Sequence, residues 1–165
     1  MPAPDRDTDH RPVVLAVCLG NICRSPTAEA ALREAAADAG VDLEVRSAGT
    51  GGWHLGDPPD ARMRRAAAER GLTLTGMAAQ VDASALADAD LVLAMDRRNL
   101  ADLQRLADRT GVDTPIRLYR EFDPDAGDDL EVPDPYYGGP DGFVEVVELA
   151  RRAARGVVAH LAQER

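Results

Sequence analysis

A cysteine and an arginine, Cys18 and Arg24, are separated by five residues, and Ser25 follows directly. A thiolate is a strong nucleophile, and a guanidinium can donate two N–H groups to one phosphate. The segment between them contains Gly20 and Asn21, which tolerate the positive φ angles that turn backbone N–H groups inward around an anion. The pattern predicts that a phosphate binds above the thiol. Cys18 is then expected to attack phosphorus and form a phosphocysteine intermediate.

This segment stands between an apolar run and a predicted helix. Residues 12–17 are continuously apolar, which is typical of a strand buried on both faces. Ser25 and Pro26 predict a helix start, with serine as N-cap and proline at the first helical position. The helix dipole adds positive potential at the loop, and Ser25 is expected to hydrogen-bond to the Cys18 thiolate. The expected phosphate-binding residues are Leu19, Gly20, Asn21, Ile22, Cys23, Arg24 and Ser25.

Predicted strands and helices alternate along the chain. Further strands are expected at 43–47, 89–95 and 115–119, and helices at 26–39, 60–70 and 96–109. Such alternation predicts a parallel sheet covered by helices on both faces, with ligands bound beyond the carboxyl ends of the strands. The loop that follows residues 12–17 stands at that edge. The last helix is predicted from one apolar stripe: Phe143, Val146, Val147, Ala150, Ala154, Val157, Val158 and Leu161.

Size and charge bound the class of protein. The chain has 165 residues, and we expect a disordered tail at 1–11 and a single domain at 12–165. The net charge of −10 argues against nucleic acid as the main partner. No stretch approaches the roughly 18 apolar residues that span a bilayer, and the polar start is not typical of a signal peptide. We therefore expect a cytoplasmic protein that binds no membrane.

The cysteines and histidines do not form a metal-binding pattern. The sequence has two cysteines, and in the expected compartment these are reduced thiols and not a structural disulfide. The three histidines are His10, His54 and His160, and their spacing does not suggest a ligand cluster. We expect neither a metal nor a cofactor.

Three Asp-Pro pairs in predicted loops offer candidates for a general acid, which the departing oxygen of a phosphate monoester would require if it is a poor leaving group. They contain Asp57, Asp123 and Asp134. Asp134 differs from the others because Tyr136 and Tyr137 stand beside it. Aromatic neighbours can bury a carboxyl group and raise its pKa, so Asp134 is the predicted acid.

The motifs are similar to those of a known family. CLGNICRSP followed by TAEA, then SAGTGGWHLGDPPD and finally DPYYGG, resembles the low-molecular-weight protein tyrosine phosphatases in motif order and spacing. The resemblance covers nearly the whole chain after residue 11. It implies a flavodoxin-like three-layer α/β fold with a four-stranded parallel sheet. It also implies two-step, metal-free hydrolysis of phosphotyrosine in proteins.

The resemblance also implies roles for individual residues. Cys18 corresponds to the nucleophile, Arg24 to the phosphate ligand and Asp134 to the general acid. The residues that would shape the substrate cleft are Trp53, Tyr136 and Tyr137. The glycines beside Trp53 predict that its side chain is exposed at the cleft. The implied partners are phosphotyrosine-containing proteins and a cognate tyrosine kinase. Tyr136 and Tyr137 are candidate sites of phosphorylation by such a kinase. We expect a monomer.

The chain departs from the family at one position. Members often have a histidine that holds the loop asparagine, whereas the corresponding stretch here, TGMAAQ, offers Gly76 or Met77. A water or another side chain, with Ser47 as the candidate, is expected to hold Asn21 instead.

The second cysteine of the loop has a predicted redox role. A disulfide between Cys18 and Cys23 would protect the nucleophile reversibly from over-oxidation.

Three other functions remain open from the sequence. An arsenate reductase on the same scaffold needs further downstream cysteines, and none follows Cys23. A protein-arginine phosphatase commonly has threonine where Ile22 stands, so isoleucine favours an aryl phosphate. A noncatalytic phosphate-binding module would be expected to lack Cys18 or Asp134, and both are present.

Overall fold

The structure is a computed structural model that describes residues 11–136 and 138–163. Its sheet contains four parallel strands in the order β2-β1-β3-β4. The strands are β1 (Val13–Cys18), β2 (Glu44–Gly49), β3 (Leu91–Ala94) and β4 (Ile116–Leu118). The four-stranded parallel sheet predicted from the sequence is therefore confirmed, with strand bounds shifted by one or two residues.

Five α-helices and one 3₁₀-helix connect or follow the strands in the described part of the chain. The α-helices are α1 (Arg24–Ala39), α2 (Ala61–Ala68), α3 (Ala83–Asp88), α4 (Arg97–Thr110) and α5 (Pro140–Gln163). The 3₁₀-helix spans Tyr119–Phe122. Sequence periodicity did not predict α3 or the 3₁₀-helix, because each is too short to repeat an apolar position. None of these helices is long and apolar enough to cross a membrane.

Alternate residues of β1 face two separate apolar layers. Val14 and Ala16 pack with α1, α2 and α5 on one face of the sheet. Leu15 and Val17 pack with α3 and α4 on the other face. This alternation is the period-2 pattern of a strand, and it explains why a strand covered on both faces is apolar throughout. The predicted stripe of α5 lies in the first layer, and every one of its eight residues is buried.

The start of α1 differs from the predicted start. The helix begins at Arg24, and Cys23 occupies the N-cap without a side-chain cap hydrogen bond. Ser25 is therefore not the N-cap, because its hydroxyl lies 3.0 Å from the Cys18 sulfur. Gly40 ends α1 in the left-handed conformation, as predicted.

Two aspartates cap the helices that follow the strands near the thiol. The Asp60 side chain accepts hydrogen bonds from the first turn of α2, and the Asp96 side chain accepts from Asn99 N in α4.

At the predicted boundary between tail and domain, Arg11 pairs with Asp42 at 3.1 Å. Residues 1–10 lie outside the described part of the chain.

One glycine of α5 allows the 3₁₀-helix to pack closely. A Cβ atom added to Gly156 would lie 1.7 Å from the carbonyl oxygen of Phe122, whereas one added to Gly142 would lie 3.6 Å from Pro135 Cβ, an ordinary contact. We expect Gly156→Ala to lower the free energy of unfolding by about 1–3 kcal/mol through overpacking. Gly142→Ala, the matched control, should be neutral or stabilising by up to about 1 kcal/mol. Urea unfolding of both variants checks this, and a Gly156→Ala protein as stable as wild type would contradict it.

Candidate active site

The candidate site lies at the carboxyl edge of the sheet, directly after β1. We call residues 18–25 the thiol loop. The loop forms the floor of a cavity of about 360 Å³. The lining residues are Cys18, Leu19, Gly20, Ile22, Cys23, Arg24, Trp53, His54, Asp134 and Tyr136. The structure thus brings most of the predicted site residues together, while Asn21 and Ser25 lie behind the cavity wall.

The Asn21 amide holds the thiol loop from behind. Its backbone has a φ of 59°, a left-handed conformation that asparagine tolerates better than most residues. Oδ1 accepts a hydrogen bond from Ala79 N at 2.9 Å, which fixes the orientation of the amide. Nδ2 donates to Ser25 Oγ at 2.8 Å and to Ser47 Oγ at 3.0 Å. Both N–H groups and the carbonyl oxygen of the amide therefore have hydrogen-bond partners.

The hydrogen bond from Asn21 leaves the Ser25 proton available. Since Ser25 Oγ accepts from Asn21, its own proton can be donated either to Cys18 Sγ at 3.0 Å or to Ala48 O at 3.4 Å. The backbone N–H of Asn21 donates to Cys18 Sγ at 3.3 Å. A thiolate sulfur can only accept, so when Cys18 is a thiolate both Ser25 Oγ and Asn21 N can donate to it.

Ser47 holds Asn21 in place of the histidine that members of the family often have. It accepts from Asn21 and donates to Glu29 Oε1 at 2.7 Å. Gly76 and Met77, the positions that correspond to the family histidine, line a second cavity of about 210 Å³ beside these groups. The Met77 side chain is exposed. The expectation that Ser47 holds Asn21 is met by this geometry.

Arg24 is buried, and one of its terminal nitrogens is fully engaged. Nη1 donates to Asp96 Oδ2 at 2.7 Å and to the carbonyl oxygen of Val132 at 3.0 Å. Nη2 lies 3.7 Å from Asp134 Oδ2. Burial alone lowers the pKa of Arg24, but Cys18, Asp96 and Asp134 outweigh it, so the pKa is raised. Among the described residues, Nε and Nη2 make no hydrogen bond, which leaves two parallel donors for a ligand.

Of the three candidate acids, Asp134 lines the cavity. Its Oδ1 accepts from the backbone N–H of Tyr136 at 3.1 Å. The prediction that Tyr136 buries this carboxyl group was wrong, because the Asp134 side chain is 41% exposed. The peptide turn leaves the carboxylate at the open side of the cavity, where a bound substrate would cover it. Tyr137 lies outside the described residues.

The other two aspartates are engaged elsewhere. Asp57 Oδ2 pairs with His54 Nδ1 at 3.3 Å. Asp123 is buried between Arg120 and Arg152, at 3.3 and 3.4 Å. Burial raises the pKa of Asp123, but hydrogen bonds from Asp125 N and the two arginines outweigh that effect, and its pKa is lowered. An aspartate held in this way keeps its negative charge and is a poor proton donor.

Aromatic side chains form the walls of the cavity. Trp53 is 74% exposed and lines the cavity, so it is not a core residue. The His54 and Tyr136 rings both line the cavity and lie 6.2 Å apart between centroids, tilted by 51°. The Arg62 guanidinium lies over the Tyr136 ring at 5.2 Å. These side chains, together with Trp53, offer apolar contact to a flat aromatic group in the cavity.

The second cysteine of the thiol loop is chemically different from Cys18. Burial raises the pKa of the Cys23 thiol, and the negative charges of Asp60, Cys18 and Asp134 raise it further. The group is therefore a neutral thiol at neutral pH. Neither cysteine is in a disulfide in this structure. No group of three or more His, Cys, Asp and Glu side chains within the described residues is placed to hold a metal ion.

Comparison with known proteins agrees with this geometry. The family model of the low molecular weight phosphotyrosine protein phosphatases matches residues 13–165. The chain belongs to this family. A low molecular weight protein-tyrosine-phosphatase from Streptomyces coelicolor is 46% identical over 151 residues, which cover 90% of this chain and 92% of that protein.

Solved structures extend the likeness to three dimensions. The crystal structure of YfkJ from Bacillus subtilis has a TM-score of 0.85 at 37% identity and covers 94% of this chain and 97% of that one. The structure of DARP, a Drosophila arginine phosphatase, has a TM-score of 0.84 at 31% identity and covers 90% and 96%. The predicted family, flavodoxin-like fold class and phosphatase activity are confirmed, so this low molecular weight phosphatase is a hydrolase of phosphoprotein substrates.

Several residues of this phosphatase site were missed in the sequence. The missed partners of the thiol loop are Glu29, Ala79, Asp96 and Val132, and the missed wall residue is His54. Asp96 could have been found, since it directly follows an apolar strand at the edge where ligands bind. Ala79 and Val132 act through backbone atoms, which residue type does not indicate.

Proposed function

We propose that the protein hydrolyses phosphotyrosine in proteins through a phosphocysteine at Cys18. The observation that carries the proposal is that the Cys18 sulfur lies within hydrogen-bond distance of Ser25 Oγ and Asn21 N, which can both donate to its thiolate form. That sulfur lies on the floor of a cavity whose walls include Arg24 and Asp134. A nucleophile, an oxyanion ligand and a proton donor therefore meet around one volume of about 360 Å³, which is typical of small-molecule sites.

In the first step, the backbone N–H groups of the thiol loop and the Nε and Nη2 groups of Arg24 bind the phosphate oxygens. The Cys18 thiolate attacks phosphorus, forming the S–P bond as the bond to the phenol oxygen breaks. Asp134, in its carboxylic acid form, donates its proton to that oxygen, so a neutral phenol leaves.

In the second step, a water attacks the phosphocysteine from the side that the phenol has vacated. The Asp134 carboxylate takes a proton from the water, the S–P bond breaks, and the sulfur leaves as a thiolate. Ser25 donates its hydrogen bond to the departing sulfur. Inorganic phosphate is released, and the starting protonation states of Cys18 and Asp134 are restored.

The walls favour an aryl leaving group. A fold neighbour is named an arginine phosphatase, so the fold alone does not select the leaving group. Here Leu19, Ile22 and Trp53 line the cavity around the thiol, and they offer apolar contact but no hydrogen-bond acceptor for a guanidinium. The relative from Streptomyces coelicolor, which is 46% identical, is named a protein-tyrosine-phosphatase. We therefore assign the aromatic substrate.

The setting of the enzyme is inferred from the same observations. We infer a single catalytic domain over residues 12–165, supported by the family match over 13–165. We infer a monomer in the cytoplasm that opposes a cognate tyrosine kinase, and its two free thiols are typical of a reducing compartment. The net charge of −10 is unfavourable for binding nucleic acid.

Cys23 is proposed as the resolving thiol of Cys18. Its raised pKa keeps it protonated, so peroxide oxidises Cys18 first, giving a sulfenic acid and water. The Cys23 sulfur then displaces hydroxide from the sulfenic sulfur, and with the thiol proton a second water leaves. The product is a disulfide, which a dithiol reduces back to two thiols.

Cys18→Ser tests the nucleophile. Hydrolysis of p-nitrophenyl phosphate should fall below detection, because a serine hydroxyl is not ionised at neutral pH. The affinity for a phosphotyrosine peptide should stay within about tenfold, since Arg24 and the backbone donors remain. Calorimetry and steady-state kinetics measure the two quantities. Appreciable turnover by the variant would exclude the covalent mechanism.

Asp134→Asn tests the acid, with Asp123→Asn as the comparison. Hydrolysis of phosphotyrosine should fall by about 10²–10³-fold in the Asp134 variant, and much less for an aryl phosphate with a more acidic phenol, which needs little protonation. Asp123→Asn should lower stability instead, by about 1–3 kcal/mol, because it weakens the charged hydrogen bonds from the buried Arg120 and from Arg152. A leaving-group-dependent loss in the Asp123 variant and not in the Asp134 variant would reverse the assignment.

Cys23→Ser tests the redox role. Wild type treated with mild peroxide should regain most of its activity in dithiothreitol. The variant should regain less, because sulfenic acid without a resolving thiol is oxidised further to forms that dithiothreitol does not reduce. Recovery and the mass of the Cys18 peptide are measured together. Equal recovery by both proteins would limit Cys23 to packing.

A further inference from the structure

A second buried arginine, Arg120, holds the segment that carries Asp134. We call residues 123–136 the acid loop. Arg120 lies in the 3₁₀-helix before this loop, and its side chain is 6% exposed. Nε donates to Asp123 Oδ2 at 3.3 Å, and Nη1 donates to the carbonyl oxygen of Glu131 at 2.9 Å. Nη1 also lies 3.4 Å from Asp129 Oδ2. One guanidinium therefore contacts Asp123 at the beginning of the acid loop and Asp129 and Glu131 further along it.

The contact at Glu131 is close to the catalytic carboxyl group in the chain. The next residue, Val132, donates from its N–H to Met95 O at 2.7 Å, and its carbonyl accepts from Arg24. Buried arginines thus bind two successive carbonyl groups directly before Pro133 and Asp134. Proline fixes its own φ and restricts the residue before it, so this short connection has little freedom. A displacement at Glu131 is therefore transmitted to Asp134.

We propose that Arg120 is a positioning residue that sets the place of the Asp134 carboxyl group over the leaving oxygen. The inference rests on the proposed role of Asp134 as general acid. Arg120 is not among the residues that line the cavity, and its charge is matched by Asp123 and Asp129. Its influence on the reaction therefore runs through the backbone of the acid loop. A misplacement of about 1 Å can cost on the order of 10²-fold in rate, so such a hold has a measurable effect.

Arg152 provides a matched control. Its Nη2 lies 3.4 Å from the same Asp123 oxygen that Arg120 contacts, but Arg152 belongs to α5 and, among the described residues, makes no hydrogen bond or ion pair with residues 129–134. Removing either arginine weakens the pairing of Asp123. Only the loss of Arg120 also releases the Glu131 carbonyl. The two variants therefore separate loss of stability from displacement of the acid.

The test compares Arg120→Met with Arg152→Met on two substrates, phenyl phosphate and p-nitrophenyl phosphate, whose leaving phenols differ in acidity. For Arg120→Met we expect kcat/KM, which reports the steps up to release of the phenol, to fall about 10–100-fold on phenyl phosphate and under about threefold on p-nitrophenyl phosphate. For Arg152→Met we expect equal, small changes on both substrates with a lowered Tm. If Arg120→Met does not fold, Arg120→Lys replaces it in the same comparison with the same expected result. The lysine keeps a charge between the aspartates but cannot reach Asp123 and Glu131 at once.

Asp134→Asn, measured on the same two substrates, distinguishes the possible failures. If that variant shows no leaving-group dependence, the acid assignment itself fails. If it does, and the Arg120 variant loses kcat/KM equally on both substrates, the positioning inference alone is overturned. The same leaving-group dependence in Arg152→Met would also overturn it, because the effect would then follow the Asp123 pairing and not the hold on Glu131.

Discussion

The buried Nη1 atom of Arg24 joins three segments that are far apart in the sequence. Arg24 begins α1, Asp96 caps α4, and Val132 belongs to the loop that precedes α5. A buried guanidinium costs several kcal/mol in lost hydration unless its charge is paired and its N–H groups are bonded. The folded chain therefore has to bring the Asp96 carboxylate and the Val132 carbonyl to this point. Arg24, the proposed phosphate ligand, thus also holds three segments together. Its Nε and Nη2 groups remain on the side of the cavity.

Strand order explains why these segments meet. β1 lies between β2 and β3, and β4 pairs with β3, so the loops after all four strands emerge along one edge. β1 contributes the thiol loop, β3 contributes Asp96, and the chain after β4 contributes the acid loop. β2 contributes its own backbone, since a Cβ atom on Gly49 would lie 2.7 Å from the carbonyl oxygen of Leu19. Only a residue without a side chain allows this approach, and the end of β2 therefore supports the thiol loop directly.

Local chemistry in the sequence predicted the parts of the site but not their connections. The apolar run of β1, the residues of the thiol loop and the stripe of α5 are local patterns with a physical meaning of their own. The sequence predicted two roles for Ser25, as N-cap and as hydrogen-bond partner of Cys18, and could not show that only the second is realised, because Cys23 occupies the N-cap. The pairing of Arg24 with Asp96 spans 72 residues and depends on strand order, which hydrophobic periodicity does not encode. The hold of Arg120 on Glu131 involves a carbonyl group, which every residue possesses.

The contact between Arg24 and Asp134 gives the proposed acid two environments. In the free protein, the Asp134 carboxyl group lies 3.7 Å from Arg24 Nη2. Under the proposed mechanism, the substrate phosphate binds Nη2 and takes the place of that carboxyl group. Asp134 is then separated from Arg24 and faces the leaving oxygen, to which it donates its proton. When phosphate remains as phosphocysteine and the phenol departs, the carboxylate left on Asp134 is the base that the attacking water requires.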